Sequence, residues 1–377
     1  MRRQTGTPRR PRPRHGQERI EPGGNRLVRT PEGDIPIDMV FTYVDGDDPA
    51  HVEKRRRFES LYPDSDIRRD TRADRNLEAR YLDVGEIAFS VQSVVKYLPW
   101  VRTIFVVTDS QVPPVSRHLL ASGRVRVVDH RELIPAEYLP TFSSRVIESC
   151  LHRIPGLSEV FLYDNDDYLH FSSIEPSAFY ELTPQGRILL DLRVKQTVVP
   201  RLLYGLSRLH PIGERVGSLH AIGIYRAYAM LRRCRYRIPA RDIMVPSHST
   251  QVIRRSTAQR LEEEFGETLD ANRRLKFRSV RSLSYATLLY TMEKAWNADD
   301  RVRRSFRSDS WSDSSGRFRM FDFTGLRGGG DTERLWREVA GSKVQFACLN
   351  NIPRPDRARF LEVMTEKGLQ QPSFAAR

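Results

Sequence analysis

Residues 161–171 read FLYDNDDYLHF, so Asp164, Asn165, Asp166 and Asp167 stand side by side behind an apolar run. Carboxylates at that density repel one another and resist burial. A bound divalent cation would hold them; a solvated turn is the other reading of the same residues. Three further groups of acids follow apolar runs: Asp45 with Asp47 and Asp48, Asp109, and Asp129.

The elements that must position these acids are short and apolar. IPIDMVFTYV, TIFVVTD, RVRVVDH and VFLY read as strands, each ending at one of the acids. Helical patterns lie between them. AHVEKRRRFESLY opens at Pro49, after a turn that Gly46 permits. DVGEIAFSVQSVVKYL carries Val84, Ile87, Val91, Val94, Val95 and Leu98 on one stripe, with Asp83 and Glu86 spaced as a capping box. Strands alternating with helices predict a mostly parallel, Rossmann-like α/β sheet flanked by helices. Ligands gather outside the carboxyl ends of such strands, where Asp45, Asp109, Asp129 and Asp164 fall.

In LPTFSSRVIESCLHRIPGLSEVF, Ser143 or Ser144 can cap a helix whose apolar side is Val146, Ile147, Cys150, Leu151 and Ile154. Arg145, Glu148, Ser149 and His152 share the opposite side, which makes Glu148 and His152 an exposed i, i+4 pair on spacing alone.

The chain has 377 residues and a formal net charge of +14. Residues 1–36 hold nine Arg against four Asp and Glu; with their Pro and Gly they read as a disordered basic tail. Residues 37–368 read as one catalytic unit, with a sheet core at 37–180 and about 300–368 and a mainly helical insertion at about 181–300; 369–377 should fray. Arginine suits bidentate phosphate contacts, but no recognisable nucleic-acid module accompanies the charge, and nucleic acid is not an expected partner. Cys150, Cys234 and Cys348 lie far apart with no C-x-x-C pair, which argues against a disulfide framework or structural zinc and for a reducing compartment. There is no apolar stretch of about 18 residues and no secretory leader pattern.

IDMVFTYVDGDDP, SVVKYLPWVRTIFVVTDSQVP, LPTFSSRVIESCLHRIPGLSEVFLYDNDD and VQFACLNN, with PSHSTQVIRRS through LKFRSV as a third region, resemble the conserved regions of the Stealth family. That family includes bacterial capsular-polysaccharide phosphotransferases. The resemblance runs from about residue 37 to about 352. It implies transfer of a sugar 1-phosphate from a nucleotide sugar to an acceptor hydroxyl, with Mg²⁺ or Mn²⁺. By position, Glu148 matches the acid of the family's IES helix, and Asn165, Asp166 and Asp167 its NDD. His248 matches the histidine opening the third region, Arg278 the arginine of its FR motif, and Asp83 with Glu86 the acids before its RYSLRS. Two positions depart from the pattern: Ala88 replaces an arginine, and Asn350-Asn351 stands for ND.

The resemblance gives each residue an expected role. Asp166, with Asp167 or Glu148, holds the metal. Arg278 clamps the transferred phosphate. His248 is the base, with Glu148 its competitor, and Asp83 joins the catalytic set. Asp45, Gly46, Asp48, Arg80 and Asn165 face the donor, and Arg80 or a neighbour compensates for Ala88. The expected partners are a nucleotide sugar and a polysaccharide or glycan acceptor. The expected location is the cytoplasm, with peripheral contact to the inner membrane face or the capsule machinery. Two alternatives stay open. Asp164-Asn165-Asp166 is also the D-x-D pattern of metal-dependent glycosyltransferases. Ala88 and Asn351 would suit a degenerate, non-catalytic glycan-binding homologue.

Overall fold

The run IDMVFT becomes the centre of the main sheet. The structure is a computed structural model; it describes residues 28–30, 33–61, 83–195, 219–239, 242–305, 318–323, 326 and 330–370. The first strands and helices are β1 (Val28–Thr30), β2 (Gly33–Ile35), β3 (Ile37–Thr42), α1 (Pro49–Leu61), α2 (Glu86–Tyr97), β4 (Ile104–Thr108), α3 (Arg117–Ala121), β5 (Val125–Asp129), α4 (His130–Leu133), α5 (Ser144–Glu148), β6 (Val160–Asn165), β7 (Tyr168–His170), β8 (Tyr180–Leu182) and β9 (Ile188–Lys195). There follow α6 (Leu219–Arg233), β10 (Val245–Pro246), β11 (Gln251–Arg254), α7 (Arg255–Arg273), α8 (Tyr285–Trp296), β12 (Arg301–Ser305), β13 (Phe318–Asp322), α9 (Gly330–Gly341), β14 (Phe346–Asn350) and α10 (Arg357–Glu366).

The main sheet has the order β11-β6-β3-β4-β5. β6, β3, β4 and β5 are parallel and β11 is antiparallel to β6. This is the mostly parallel α/β sheet read from the sequence. The chain leaves β3 toward β4 and β5, then returns to the other side of β3 as β6. The reversal makes the carboxyl ends of β3 and β6 the switch point at which open α/β sheets bind ligands.

Alternation along the strands sends side chains to two apolar layers. Met39, Phe41, Val106 and Leu162 pack on Ile87, Val91 and Val94 of α2. Val40, Phe105, Val107 and Phe161 pack on Leu231, Leu261, Leu288 and Met292 of α6, α7 and α8. A third cluster joins Phe321 and Leu349 to Trp336 of α9 and Phe360 of α10. The strand order β13-β14-β7 places β14 against β7, directly after the acidic turn.

Among the described residues, 181–300 hold three helices but also strands. β11 from this stretch completes the main sheet, and β9 pairs with β8, β10 and β12. The sequence reading of a mainly helical insertion missed both. Among the described residues no helix is long and apolar enough to cross a membrane. Cys150, Cys234 and Cys348 are free thiols. The basic tail falls outside the described residues, apart from the backbone of β1 and β2.

Candidate active site

The acidic cluster divides as β6 ends. Asp164 turns inward: its Oδ2 lies 3.2 Å from His170 Nε2 and accepts from Thr250 Oγ1 at 3.2 Å, and the Asp164 and His170 side chains are fully buried. Asn165 faces the other side of the sheet, where its Oδ1 accepts from the Tyr163 hydroxyl at 2.9 Å. Asp166 and Asp167 form the turn into β7. Ser90 Oγ of α2 donates to the Asp166 carbonyl at 2.6 Å, and Leu349 N of β14 to the Asp167 carbonyl at 3.0 Å. The Cys348 thiol donates to Asp167 Oδ2 at 3.2 Å. Asp167 Oδ1 is buried and makes no hydrogen bond.

Asp83 and Glu86 come to the same turn from the head of α2, but not as a capping box. The N-cap is Gly85, held at φ 98°, a conformation that favours glycine. Asp83 Oδ1 accepts from Gly85 N at 2.7 Å and Glu86 Oε2 from Val84 N at 2.8 Å. The Tyr43 hydroxyl, just past β3, donates to Asp83 Oδ2 at 2.9 Å. Burial, then the charge of Asp83 and Asp166, pushes the Glu86 carboxyl well above the usual range. Burial, then Asp167 and Asp83, does the same to Asp166. Asp167 is pushed up to about 6, mainly by burial. Burial and mutual repulsion thus favour the protonated forms of Glu86, Asp166 and Asp167.

Glu148 and Arg278 approach from the opposite side of β6. Arg278 Nη2 donates to Ser144 Oγ at 2.6 Å, at the start of the five-residue α5 that Glu148 ends. Burial raises the Glu148 pKa, and Arg278, Arg145, Ser144 and Tyr163 oppose that rise. Burial and then Glu148 raise the Tyr163 hydroxyl; Thr42, 3.2 Å away, and Arg278 lower it, and the charge of Asp166 also reaches it. Tyr163 therefore lies within the fields of both Glu148–Arg278 and Asp166. Arg145 is buried, and its guanidinium lies against Gly223 of α6: a Cβ there would be 2.5 Å from Nη1.

The exposed Glu148–His152 pair does not form. The helix stops at Glu148, residues 151–153 make a separate 3-10 turn, and His152 is buried. Its Nε2 lies 2.8 Å from Glu262 Oε2. The apolar spacing that suggested one long helix serves two short elements.

His248 sits between β10 and β11, two residues before Thr250. Its ring centroid is 5.4 Å from that of Tyr168, whose hydroxyl feels Asp167 and Asp164. The structure thus brings Asp83, Glu86, Asp166, Asp167, Asn165, Glu148, Arg278 and His248 to one end of β6. Asp45 stands nearby, and its charge reaches Tyr43. Its backbone is clamped by Gln111, at 2.8 Å on N and 2.9 Å on the carbonyl. Asp48 caps α1, its Oδ1 accepting from Ala50 N at 2.8 Å and His51 N at 3.2 Å, with Gly46 in the turn before it. Arg80 lies outside the described residues.

Two strand-end acids are tied up structurally. Burial works against ionisation of Asp109, but His51, Lys54 and His130 outweigh it and hold the carboxyl at about 2. Asp129 caps α4 in a capping box with Glu132. At the departures from the family pattern, Ala88 is buried in α2 and Asn351 adopts φ 57°, which asparagine tolerates. Asn350 Nδ2 donates to Asp322 Oδ1 at 2.9 Å, and the charge of Asp322 reaches Asp167. Tyr43, Tyr163, Arg145, Cys348 and Asp322 escaped the sequence reading. Only Tyr43, directly before the VDGDDP turn, carried a positional signal. Among the described residues no three His, Cys, Asp or Glu side chains form a metal cage by themselves.

Comparison with known proteins places the chain. Stealth protein conserved region 2 matches residues 80–187, which run from the approach to α2 through the acidic turn to β8. The capsular polysaccharide phosphotransferase fcs1 of Haemophilus influenzae is 37% identical over 210 residues, 54% of each chain. A capsular polysaccharide phosphotransferase of Neisseria meningitidis serogroup B is 42% identical over 147 residues, 39% of this chain and 38% of that one. An exopolysaccharide phosphotransferase of Streptomyces coelicolor is 39% identical over 154 residues, 40% of this chain and 26% of that one. The chain spans about half the length of the first of these relatives, and less of the other two. Among solved structures, the galactosyltransferase LgtC with donor and acceptor sugar analogs aligns over 87% of this chain and 95% of that one, at TM-score 0.38 and 11% identity. The resemblance to Stealth proteins is therefore borne out: residues 80–187 of this chain match Stealth protein conserved region 2, and its relatives over about half the chain are capsular polysaccharide phosphotransferases.

Proposed function

We propose that the chain transfers a sugar 1-phosphate from a nucleotide sugar, a UDP-sugar being the expected donor, to a hydroxyl of a polysaccharide or glycan acceptor. One observation carries the reading. Arg278, Glu148 and the Tyr163–Asp166 end of β6, three separate segments, share one electrostatic neighbourhood at the switch point of the sheet. The names of the relatives, capsular and exopolysaccharide phosphotransferases, support it. We take residues 37–368 as the catalytic unit and the cytoplasm as its place of action.

In the reaction, the acceptor oxygen attacks the phosphorus that carries the sugar. The bond from that phosphorus to the bridging oxygen breaks, and the nucleoside monophosphate leaves with the electron pair. A phosphodiester forms, and the hydroxyl proton passes to the His248 imidazole, a side chain suited to general-base work. The guanidinium of Arg278 donates to the oxygens of the transferred phosphate. Glu148 lies in the fields of Arg278 and Arg145 and anchors the pair. Its raised proton affinity makes it the second candidate for the base.

Asp166 and Asp167 fit Mg²⁺ or Mn²⁺. Their donors are hard oxygens, and Asp167 Oδ1 is buried without a hydrogen bond. Such ions are commonly held by one or two carboxylates plus substrate phosphates, so a three-ligand protein cage is not required. When bound, the ion neutralises charge on the pyrophosphate oxygens. Engagement of Asp164 by His170 and Thr250 weighs against the D-x-D glycosyltransferase alternative.

The test is to incubate the protein with a panel of nucleotide sugars, a glycan acceptor and Mg²⁺ or Mn²⁺, and to identify the nucleotide released. A monophosphate is expected. A diphosphate would replace phosphotransfer with glycosyl transfer, and tight donor binding without turnover would favour a non-catalytic homologue. Asp166→Ala and His248→Ala should each abolish turnover with the circular dichroism spectrum unchanged.

A further inference from the structure

We propose that Asp164 is a positioning residue: one of its carboxylate oxygens joins the His248 segment to the Asp166–Asp167 turn and sets the distance between them. The proposal rests on the phosphotransfer reading above, in which those groups are the base and the metal carboxylates.

Strand β6 gives the first sign. Val160, Leu162 and Asp164 alternate onto one face of the sheet, and Val160 and Leu162 belong to the apolar layer under α2. An apolar side chain at 164 would continue that row. The chain instead buries a carboxylate there, 1% exposed, against His170 at 0%. Exchanging such a pair for apolar groups of similar volume is often neutral or stabilising. Among the described residues Asp164 Oδ1 and His170 Nδ1 are buried without a hydrogen bond, which adds to the cost. Stability therefore does not account for the pair.

Its contacts do. Asp164 and His170 flank the acidic turn, one near the end of β6 and the other at the end of β7, and Oδ2 and Nε2 meet at 3.2 Å behind it. Helix α2 grips the same two sides: Ser90 Oγ donates to the Asp166 carbonyl at 2.6 Å, and His170 N donates to Ser93 Oγ at 3.0 Å. The second contact to Asp164 Oδ2 comes from a distant part of the chain, the Thr250 hydroxyl at 3.2 Å. Thr250 stands two residues after His248 and directly before β11. On the other side of His248, Ser247 N and Oγ donate to the Arg193 carbonyl of β9 at 3.0 and 3.2 Å, and Ser247 Oγ lies 2.7 Å from Ser249 Oγ. Ser247, Ser249 and Thr250 are all buried. His248 is thus carried between two buried anchors, one on β9 and one on the acid beside the turn. Its ring comes to 5.4 Å from that of Tyr168, the first residue after the turn. A base displaced by about 1 Å can lose a factor of about 10² in rate, so this tether has a catalytic consequence.

Three variants of the full chain test this. Thr250→Val keeps the branched shape but removes the donor to Asp164, Thr250→Ser keeps the donor, and Asp164→Leu/His170→Phe replaces the buried pair with apolar groups. In the assay of nucleoside monophosphate release, Thr250→Val and the double variant should each lower kcat by about 10–10²-fold, with the donor KM within about twofold and Thr250→Ser within about threefold of the wild type. The double variant should melt at or above the wild-type temperature. Its midpoint for stabilisation by Mg²⁺ should rise by about tenfold, the usual cost of losing a group that orients a metal ligand. The His248 ring resonance in ¹H–¹³C NMR, assigned with His248→Ala and read without substrate, should move in Thr250→Val and stay in Thr250→Ser. A wild-type kcat in Thr250→Val or the double variant would overturn the proposal. So would equal losses in Thr250→Val and Thr250→Ser, an unchanged Mg²⁺ midpoint in the double variant, or a His248 resonance that Thr250→Val leaves in place. A lower melting temperature with kcat and resonance unchanged would make the contacts structural only. If the NMR and Mg²⁺ results are as expected but the wild type releases no nucleoside monophosphate, the positioning role stands and the reaction reading falls.

Discussion

Arg278 Nη2 donates to Ser144 Oγ at 2.6 Å, across 134 positions of sequence. The bond fastens the arginine to the short helix that ends in Glu148 and fixes where its guanidinium points. Lysine offers one compact charge and no planar fork. Arg278→Lys should therefore cut kcat by about 10²–10³-fold, the usual cost of losing a donor aimed at developing charge. Steady-state kinetics with a thermal melt check this. A wild-type kcat in the folded variant would remove Arg278 from the phosphate.

Asp167 gives the acidic turn a pH signature. Its carboxyl is held at about 6, mainly by burial, against about 3.9 in an unfolded chain. The folded state thus binds this proton more tightly than the unfolded chain, and stability is lost as pH rises from about 4 to about 6. Asp167→Asn removes that loss. The variant should match the wild type below about pH 4 and exceed it by on the order of 3 kcal/mol at pH 7 in denaturant titrations without divalent ions. Adding Mg²⁺ at pH 7.5 should raise the wild-type melting temperature, and should raise that of Asp166→Asn/Asp167→Asn far less. Equal shifts in the two proteins would place the ion elsewhere.

Gly223→Ala separates helix stability from site geometry. Alanine in a helix interior is favoured over glycine by up to about 1 kcal/mol. The new Cβ would stand 2.5 Å from Arg145 Nη1, so the guanidinium must move. The variant should melt no lower than the wild type yet turn over more slowly. Combined with Arg145→Ala, the glycine substitution should have little further effect on kcat, a non-additivity that a double-mutant cycle reads directly.

Glu262 organises a second network, behind the site. It accepts from Arg273 Nη1 at 2.7 Å, from Arg153, and lies 2.8 Å from His152. Burial opposes its charge, but His152, Arg153 and Arg273 together hold its carboxyl far below the usual range. The Arg273 side chain is only 1% exposed. Glu262→Ala would leave that guanidinium without its main counter-charge and should destabilise the fold by about 3–5 kcal/mol. Urea titration gives the figure; a loss under 1 kcal/mol would mean that Asp270 alone suffices.

The parallel strands were legible because β3, β4 and β6 are apolar runs buried on both faces and followed by acids. The acidic turn was legible for the same reason. Other parts failed where one spacing serves two structures. Asp83 and Glu86 are three apart, which suits a capping box, but Gly85 takes the cap and frees both acids for the cluster. Residues 144–154 have helical periodicity, yet the helix ends at Glu148, and His152 goes to Glu262. In β9, Leu190, Leu192 and Val194 alternate as a strand should. Arg193 and Asp191 on the same strand obscured that pattern among many other charges. Arg145 read only as part of the polar side of a helix, since no sequence rule announces that Gly223 will lie against it.

The fate of the sugar-linked phosphorus tests the reaction most directly. A UDP-sugar labelled with ³²P at that position, incubated with protein, acceptor and Mg²⁺, should deliver the label to the glycan as a phosphodiester while unlabelled UMP is released. Label recovered in free UDP, with an unlabelled glycosidic product, would contradict it.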